Sequence, residues 1–376
     1  MTQGLCDGEM TLKKEFLLFF LAVALKTMIL GALFLTADCS LSELVKFADV
    51  KSYLKIAGSY PLPYGMEGME VNVRHYPLFP FLVWVTSPLF AGNLVYAGFF
   101  TAISISALCS VVLYLIAREF TKRAFLVSLI FAVIPAKWAQ VSVYPLSESV
   151  FVLLLLLAVY YHLKEHYWGT YLSLGMLLLA RPLGVIFLFS FLLTDVLIEK
   201  RFFVLKYAVV AMVPFFVFHG YLFLLFQKFM FFAHYGKSGG WGGSVFSYPL
   251  SGLIEGIKDQ GFLLARKIYT LVTFGFYSVL FALAVYHVFN TEKYRLFSIL
   301  IIPYFIFTLF LKGSSHNWWM LTLPRFLIPV APFGLIFLLG QLKEKYLYVI
   351  LGVGTAWAIA YAAGSHVIHL IHGRIV

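Results

Sequence analysis

The stretch FLLFFLAVALKTMILGALFL (residues 16–35) is almost wholly apolar over 20 residues. A helix that crosses a bilayer needs about 20 such residues. Lys13 and Lys14 come directly before it, and lysines next to a membrane helix favour the cytoplasmic side. A signal peptide would have a shorter apolar region followed by a small-residue cleavage site. The stretch therefore predicts a retained membrane helix whose amino end lies in the cytoplasm.

The rest of the chain has the same character. Of its 376 residues, 62% are apolar and 12% are charged, and the mean hydropathy is +0.91. Soluble proteins contain roughly 45–50% apolar residues. Soluble cores of this size cannot bury such a surplus, so part of it must face lipid. The composition excludes a soluble enzyme, a disordered chain and a collagen-like or coiled-coil fibre.

Basic residues recur in short clusters, and placing every cluster in the cytoplasm gives one consistent path through the membrane. The clusters are Arg118 with Lys122 and Arg123, Lys164, Lys200 with Arg201, Lys293 with Arg295, and Lys343 with Lys345. We therefore predict an all-α polytopic membrane protein: a single integral domain over 1–376 with about eleven membrane helices (10–12) and an outside carboxyl terminus. Beyond residues 16–35, the helices are expected at about 94–117, 124–141, 147–163, 168–181, 183–198, 203–227, 267–289, 296–311, 325–341 and 346–370.

This arrangement explains the net charge of +11 without nucleic acid, because the basic clusters lie beside anionic lipid. It leaves two long segments outside, a first loop over 37–92 and a second over 228–266. Within the first loop, residues 78–91 are too short to span comfortably, follow Pro77 and carry Pro80 and Pro88, so we expect a juxtamembrane helix on the outer surface. If this segment spans instead, the topology must be redrawn.

The first loop is acidic and long enough to be functional. Its carboxylates include Asp38, Glu43, Asp49, Glu67 and Glu70. The apolar spacing over residues 44–57 predicts short amphipathic helices on the membrane surface. The alternative for any single carboxylate is that it only solvates an exposed loop.

Two arginines and a glutamate lie in apolar surroundings near the outer side. Arg181 follows Ala180 and precedes Pro182, Arg325 follows Pro324, and Glu148 lies in a turn between two predicted helices. A guanidinium in hydrocarbon costs at least about 2.5 kcal/mol, so such residues usually face a polar cavity or a partner. One interpretation is that Glu148 pairs with an arginine to hold helices together. The other is an anion site for a phosphate, which arginine binds with two parallel hydrogen bonds.

Five short motifs then resemble, in the right order, those of the GPI mannosyltransferase II (PIG-V-like) family of the GT-C superfamily. They are Phe47-Ala48-Asp49 followed by Tyr53 and Ile56-Ala57, Tyr76-Pro77-Leu78-Phe79-Pro80, Pro145-Leu146-Ser147-Glu148-Ser149, Ala180-Arg181-Pro182, and Pro324-Arg325-Phe326-Leu327. The chain departs from the family at Ala48, where a Trp is usual, and at Ser52, where a His is frequent. The resemblance implies a GT-C-like fold and transfer of mannose or another hexose from a polyprenyl (dolichyl) phosphate.

Inverting transfer to a hydroxyl needs one carboxylate as general base, and Asp49 is our candidate because the resemblance points to it. Asp38, closer to the end of the first helix, is the alternative. The leaving phosphate needs no general acid, but its charge needs stabilisation, which arginine or lysine supplies without a metal. The expected donor-phosphate ligands are Arg181 and Arg325, followed by Arg74, His75 and Lys312. The expected substrate-binding residues are Tyr53, Tyr76, Glu148 and Trp241.

The glycine-rich stretch 236–244 does not satisfy the phosphate-loop pattern, because no glycine stands five residues before Gly236. It is expected to be a lid or a linker, and its Trp241 can stack on a sugar or simply belong to the interfacial aromatic belt. We expect no metal and no cofactor. The spacing of three between His366, His369 and His372 fits an interfacial helix face better than a metal site.

The expected partners are a polyprenyl-phosphate sugar and a lipid-linked glycan or other hydroxyl acceptor. The sequence fits the plasma membrane of an archaeon or bacterium better than the endoplasmic reticulum, with an extracytoplasmic active site. A transporter or flippase of a lipid-linked sugar is the alternative. Transporters often contain inverted repeats and midplane sites, whereas the two halves of this chain show no repeat and its polar residues gather on one face.

Overall fold

The computed structural model describes residues 2–37, 44–45, 49–64, 75–227, 250–251, 254, 258, 264–290, 292–310 and 325–372. Helix is the only regular secondary structure in these ranges. In the amino-terminal half the helices are α1 (Thr2–Ala37), α2 (Val50–Gly58), α3 (Leu78–Thr86, continued by a 3-10 turn Ser87–Phe90), α4 (Leu94–Ala117), α5 (Ala124–Phe131), α6 (Ala136–Val141) and α7 (Glu148–Leu163).

The rest of the chain continues the same pattern of apolar helices. It contains α8 (Tyr167–Ala180), α9 (Gly184–Leu192, continued by a π-helical turn Leu193–Ile198), α10 (Leu205–Phe226, preceded by a 3-10 turn Phe202–Val204), α11 (Leu264–Asn290), α12 (Arg295–Leu309, preceded by a 3-10 turn Glu292–Tyr294), α13 (Ala331–Leu339, preceded by a 3-10 turn Ile328–Val330) and α14 (Glu344–His372).

Within the ranges that the structure describes, five helices are long and apolar enough to cross a membrane, and six shorter ones are also apolar. Large apolar side chains on these helices remain exposed; on α10, Val209 is 67% exposed, Val217 65% and Leu224 72%. These surfaces fit contact with acyl chains. The expected class of helical membrane protein is confirmed, whereas the count of about eleven spans stays a prediction. The five long spans are Leu12–Leu35, Leu94–Ala117, Phe202–Phe226, Thr270–Asn290 and Glu344–Ala362.

The described helices form two compact units, of which the first comprises Met1–Pro63, Pro77–His166 and Leu335–Val376. In this unit α1 packs against α4 and α14, and α4 packs against α5 and α7. Small residues allow close contact, because Ala22, Ala107 and Ala132 form one fully buried cluster. The N-terminus of α4 is capped by the Asn93 side chain, whose Oδ1 accepts from the amides of Val95 at 3.0 Å and Tyr96 at 3.2 Å.

The short helices α2 and α3 pack on each other and on α4. Gly98 of α4 permits this approach, since a Cβ there would lie 3.0 Å from both Leu54 and Pro145. Together, Leu78–Thr86 and Ser87–Phe90 make a rod about 20 Å long, shorter than the roughly 30 Å of hydrocarbon in a bilayer. The expectation that this segment lies on the outer surface stays a prediction.

The second unit comprises Tyr64–Tyr76 and Tyr167–Gly334. In this unit α8 packs closely on α10, since a Cβ on Gly175 would lie 2.2 Å from the carbonyl oxygen of Ala211. Helices α9, α11 and α12 pack alongside, and the rings of Phe187 and Tyr304 stack with centroids 4.8 Å apart. Pro214 lies inside α10, a position that membrane helices tolerate better than soluble ones.

Candidate functional site

The first candidate is Asp49, which stands directly before α2. Its carbonyl oxygen accepts from the amide of Tyr53 at 3.1 Å, closing the first helical turn, and its partly exposed carboxylate makes no capping bond to α2. Helix α2 forms because its apolar residues recur on one face, which is buried: Val50, Tyr53, Leu54, Ile56 and Ala57. Asp49 therefore lies at the edge of a helix that is fixed by its buried side.

Tyr53 connects α2 to a distant part of the first unit. Its hydroxyl lies 2.7 Å from Oγ of Ser147, and its ring packs edge-on against Phe79 at 5.6 Å. Only 4% of Tyr53 is exposed. The structure thus brings the predicted substrate residue Tyr53 to the residue that directly precedes Glu148, another predicted substrate residue.

Residues 142–149, here called the recessed turn, carry Ser147 and Glu148. Glu148 is the first residue of α7 and is 2% exposed. The carbonyl oxygen of Ser149 accepts from the thiol of Cys109 at 3.4 Å. Cys109 lies fifteen residues into α4, or about 22 Å along its axis, whereas Pro145 lies beside Gly98, only four residues into the same helix, so the turn runs inward from near the start of α4. The sequence had suggested the tip of a hairpin. The recess follows from the helices before it, because Pro135 separates two short segments, α5 and α6.

Lys26 of α1 contacts the recessed turn. The sequence analysis did not identify this lysine as a candidate. Its side chain is fully buried, its Nζ donates to Oγ of Ser142, and it lies 4.9 Å from the centre of the Trp138 ring. None of the ion pairs among the described residues includes Lys26. The signal was available, because Lys26 is the only charge within residues 16–35 and an ionisable residue inside a membrane helix usually has a role.

Around this lysine the first unit encloses a set of polar side chains that water does not reach. Ser142, Ser147 and Ser149 are fully buried, and Gln140, which accepts from Lys137 at 3.0 Å, is 1% exposed. Electrostatic interactions are stronger in such a dry environment than at a surface. The arrangement can hold a helix rigidly while a carboxylate at its edge, Asp49, keeps access to solvent.

The predicted phosphate-binding arginines belong to the second unit. Arg181 directly follows α8, where its amide donates to the carbonyl of Leu177 at 3.0 Å. Its guanidinium lies 5.9 Å from the centre of the Phe326 ring. Arg325 is the residue before Phe326, so the structure brings the two sequence segments that carry the predicted arginines together. Both arginines are partly exposed.

His75 and Tyr76 lie close to α10 in the same unit. The Tyr76 hydroxyl is 3.2 Å from Nε2 of His219, and its ring lies 5.5 Å from that of Phe218. His75 is 3% exposed, and its carbonyl oxygen accepts a hydrogen bond from Tyr64. His219 is a second residue that the sequence interpretation missed, and its position inside an apolar helix was the available signal.

Asp195 is the third missed residue. It lies in the π-helical turn after α9, its side chain is fully buried, and its Oδ2 accepts from the Tyr171 hydroxyl at 2.8 Å. Arg201 approaches its Oδ1 at 3.7 Å and covers the Tyr167 ring at 5.4 Å. This cluster joins the start of α8 to the end of α9. A buried carboxylate with two such partners fits a structural role.

Four predicted site residues, Asp38, Arg74, Lys312 and Trp241, lie outside the described residues, as does most of the predicted outer segment 228–266. In the described ranges no group of three His, Cys, Asp or Glu side chains is arranged to hold a metal ion. His366, His369 and His372 lie in α14, but their side chains are not among those that the structure describes.

Comparison of the chain with known protein families, with curated proteins and with solved structures finds no match. The function must therefore be argued from the chain itself.

Proposed function

We propose that this chain is an inverting glycosyltransferase that moves mannose or another hexose from a polyprenyl phosphate to a hydroxyl of a lipid-linked glycan or other acceptor. The observation that carries the proposal is the 2.7 Å contact between Tyr53 and Ser147. It fixes α2, which begins directly after Asp49, on the turn that leads into Glu148. These four residues come from two of the motifs that resemble the PIG-V-like family.

In the proposed reaction the acceptor oxygen attacks the anomeric carbon from the side opposite the phosphate. The bond between the anomeric carbon and the phosphate oxygen breaks, and its electron pair leaves with the polyprenyl phosphate. The acceptor proton passes to the Asp49 carboxylate, which must come within roughly 3 Å of the hydroxyl. The partial exposure of Asp49 is compatible with this role, because the acceptor must reach it.

Arg181 and Arg325 are the proposed ligands of the leaving phosphate. Each guanidinium offers several N–H donors in a planar fork, which suits two oxygens of one phosphate. The neighbouring ring of Phe326 restricts the orientation of Arg181 without neutralising its charge. In the proposed reaction these guanidinium groups supply the positive charge that the leaving phosphate needs, and no metal is required.

The test is a transfer assay with the purified protein in nanodiscs, a polyprenyl-phosphate mannose and a short lipid-linked acceptor, with a metal chelator present and product detected by mass spectrometry. We expect product with the wild-type protein and a loss of about 10²–10⁴-fold in Asp49→Asn. The matched control is Glu292→Gln, which also replaces a carboxylate by an amide, at a side chain that is 88% exposed. We expect full activity in this control and an unchanged unfolding temperature in both variants.

Three results would change the assignment. Full activity in Asp49→Asn together with loss in Asp38→Asn would move the base to Asp38. Absence of transfer with every polyprenyl-phosphate hexose, combined with movement of a fluorescent sugar lipid across vesicles, would identify a flippase. A cysteine placed at position 49 that reacts only with reagents on the cytoplasmic side would exclude the proposed extracytoplasmic site and with it the prokaryotic outer-surface localisation.

A further inference from the structure

Two turns of the first unit meet at one end of α4, α5 and α14. The hydroxyl of Thr121 donates to the carbonyl oxygen of Gly340 at 2.9 Å, and Nη1 of Arg123 donates to the same oxygen at 3.3 Å. One carbonyl therefore fixes residues 118–123 against residues 340–345. We call the five cations carried by these turns the basic junction: Arg118, Lys122, Arg123, Lys343 and Lys345.

The cations of the basic junction keep their charge available. No ion pair among the described residues includes any of the five. The two nearest carboxylates in sequence have other partners, since Glu119 pairs with Lys164 at 2.8 Å and Glu344 accepts from the Tyr348 hydroxyl at 3.2 Å. All of these cations except Arg123 are exposed, and Arg123 uses only one of its five N–H donors for Gly340.

An apolar surface begins directly beside the basic junction. On α14, Tyr346 is 49% exposed, Tyr348 57% and Val349 62%. The Lys345 ammonium lies 5.1 Å from the centre of the Tyr346 ring, at the border of this surface. Tyrosine next to lysine at the end of an apolar helix is typical of the boundary between headgroups and acyl chains. A ligand that fits here carries a negative head and apolar chains.

We propose that the basic junction binds the phosphate of an anionic phospholipid, whose acyl chains lie along the exposed face of α14. Two helices begin at the junction, α5 at Ala124 and α14 at Glu344, so their first amides add positive potential on the same side. Basic groups between membrane helices bind anionic headgroups in this way. The exposed apolar face of α14 favours a lipid over a free phosphate, because only a lipid has acyl chains that can contact this face.

The test measures lipid retention. The protein is purified from nanodiscs that contain equal amounts of phosphatidylglycerol and phosphatidylcholine, and the retained lipid is counted by native mass spectrometry. We expect selective retention of phosphatidylglycerol and at least a fivefold loss of that selectivity in the triple variant Lys122→Gln, Lys343→Gln, Lys345→Gln. The control triple variant Lys51→Gln, Lys55→Gln, Lys206→Gln removes the same charge from other exposed positions and is expected to retain the lipid.

An equal loss in both triple variants would overturn the proposal, because it would show a response to net charge alone. Retention of phosphatidylglycerol in the junction variant would overturn it too. Displacement of the lipid by millimolar inorganic phosphate in the wild-type protein would replace it with a site for a free anion. If the triple variant does not fold, the double variant Lys122→Gln, Lys343→Gln gives the same reading, with at least a twofold loss expected.

Discussion

The hydroxyl of Tyr53 lies 2.7 Å from the hydroxyl of Ser147, joining two residues that are 94 positions apart in the chain. Both are buried, with 4% of Tyr53 and none of Ser147 exposed. Since a hydrogen bond between buried groups is costly to leave unmade, this contact determines where α2 lies on the first unit. Asp49 is one helical turn away from it, so the position of the proposed base depends on a residue that does not itself react.

The first prediction concerns Tyr53→Phe. The substitution keeps the ring and its packing on Phe79 but leaves the Ser147 hydroxyl without this partner, at an expected cost of about 1–3 kcal/mol. We expect amide hydrogen exchange in residues 50–58 to become faster and sugar transfer to fall. The measurement is hydrogen exchange followed by mass spectrometry, together with the transfer assay.

Tyr60→Phe is the control for this variant. The Tyr60 hydroxyl belongs to the same loop region, and it donates to the carbonyl of Pro77 at 3.0 Å. Its loss is expected to leave the exchange of residues 50–58 unchanged. Equal protection of α2 in the wild-type protein and in Tyr53→Phe would show that the contact does not hold the helix.

The second prediction compares removal of the buried lysine, Lys26, with removal of its hydroxyl partner, Ser142. Lys26→Met removes a buried charge that has no described counter-charge, while Ser142 keeps a bond to the carbonyl of Ala139 at 3.3 Å. We expect stability in detergent to be unchanged or higher, because apolar replacement of buried ionic groups is often neutral or stabilising. Ser142→Ala instead leaves the ammonium without its oxygen acceptor, and we expect a loss of about 1–3 kcal/mol.

Both variants are compared with the wild-type protein by thermal unfolding in the same detergent. A destabilised Lys26→Met would indicate that the ammonium contributes net stability through Trp138 and Ser142. A stable Lys26→Met that has lost transfer activity would instead indicate a functional role for its charge.

The third prediction tests the close approach at Gly98. A methyl group on Gly98 would lie 3.0 Å from Leu54 and Pro145, so Gly98→Ala is expected to cost about 1–3 kcal/mol through overpacking and to displace α2. The control is Gly31→Ala in α1, where nothing lies within 4 Å of the added carbon. There the higher helix propensity of alanine predicts equal or slightly greater stability. The measurement is thermal unfolding of Gly98→Ala and Gly31→Ala under the same conditions. Equal melting temperatures would contradict the packing argument.

The fourth prediction concerns Arg181. Arg181→Lys keeps the positive charge but loses the planar fork, so we expect kcat/KM for the polyprenyl-phosphate donor to fall about tenfold or more, and Arg181→Gln to be less active still. Arg295→Gln is the control, because Arg295 is partly exposed and pairs with Glu292 at 3.4 Å. Wild-type kinetics in Arg181→Lys would remove this residue from the proposed phosphate site.

The apolar pattern predicted the helices well where they are long. The predicted helix 94–117 agrees with Leu94–Ala117, and the predicted short helix over 78–91 agrees with Leu78–Thr86 and its extension to Phe90. Length and hydropathy suffice for these segments, because a helix satisfies its own backbone hydrogen bonds. The pattern predicted one helix over 124–141, whereas the structure has two, since Pro135 lacks the amide that would continue the first.

The arrangement of the candidate site was less accessible from sequence. Motif resemblance selected Tyr53, Glu148, Arg181 and Arg325, but it did not reveal that Tyr53 contacts Ser147 or that Arg181 lies beside Phe326. These contacts join residues far apart in the chain, and membrane helices that are apolar all round give little indication of which face meets which neighbour. The environment of Lys26 was equally hidden in the sequence, because Ser142 and Trp138 lie more than 110 residues further along the chain.

Lys26 and Ser142 are separated by 116 positions in the chain, which affects the order in which their contact can form during synthesis. The ribosome releases the first helix long before it synthesises the partner of its lysine. A lysine at the centre of an inserting helix costs about 2.5–3.5 kcal/mol, which the surrounding Leu, Phe and Ile residues must offset on their own. Until Trp138 and Ser142 emerge, the ammonium must reach toward water along its flexible stem. The buried contacts of Lys26 therefore form only after residues 138–142 are synthesised, and the packing of α1 on α14 must come later still.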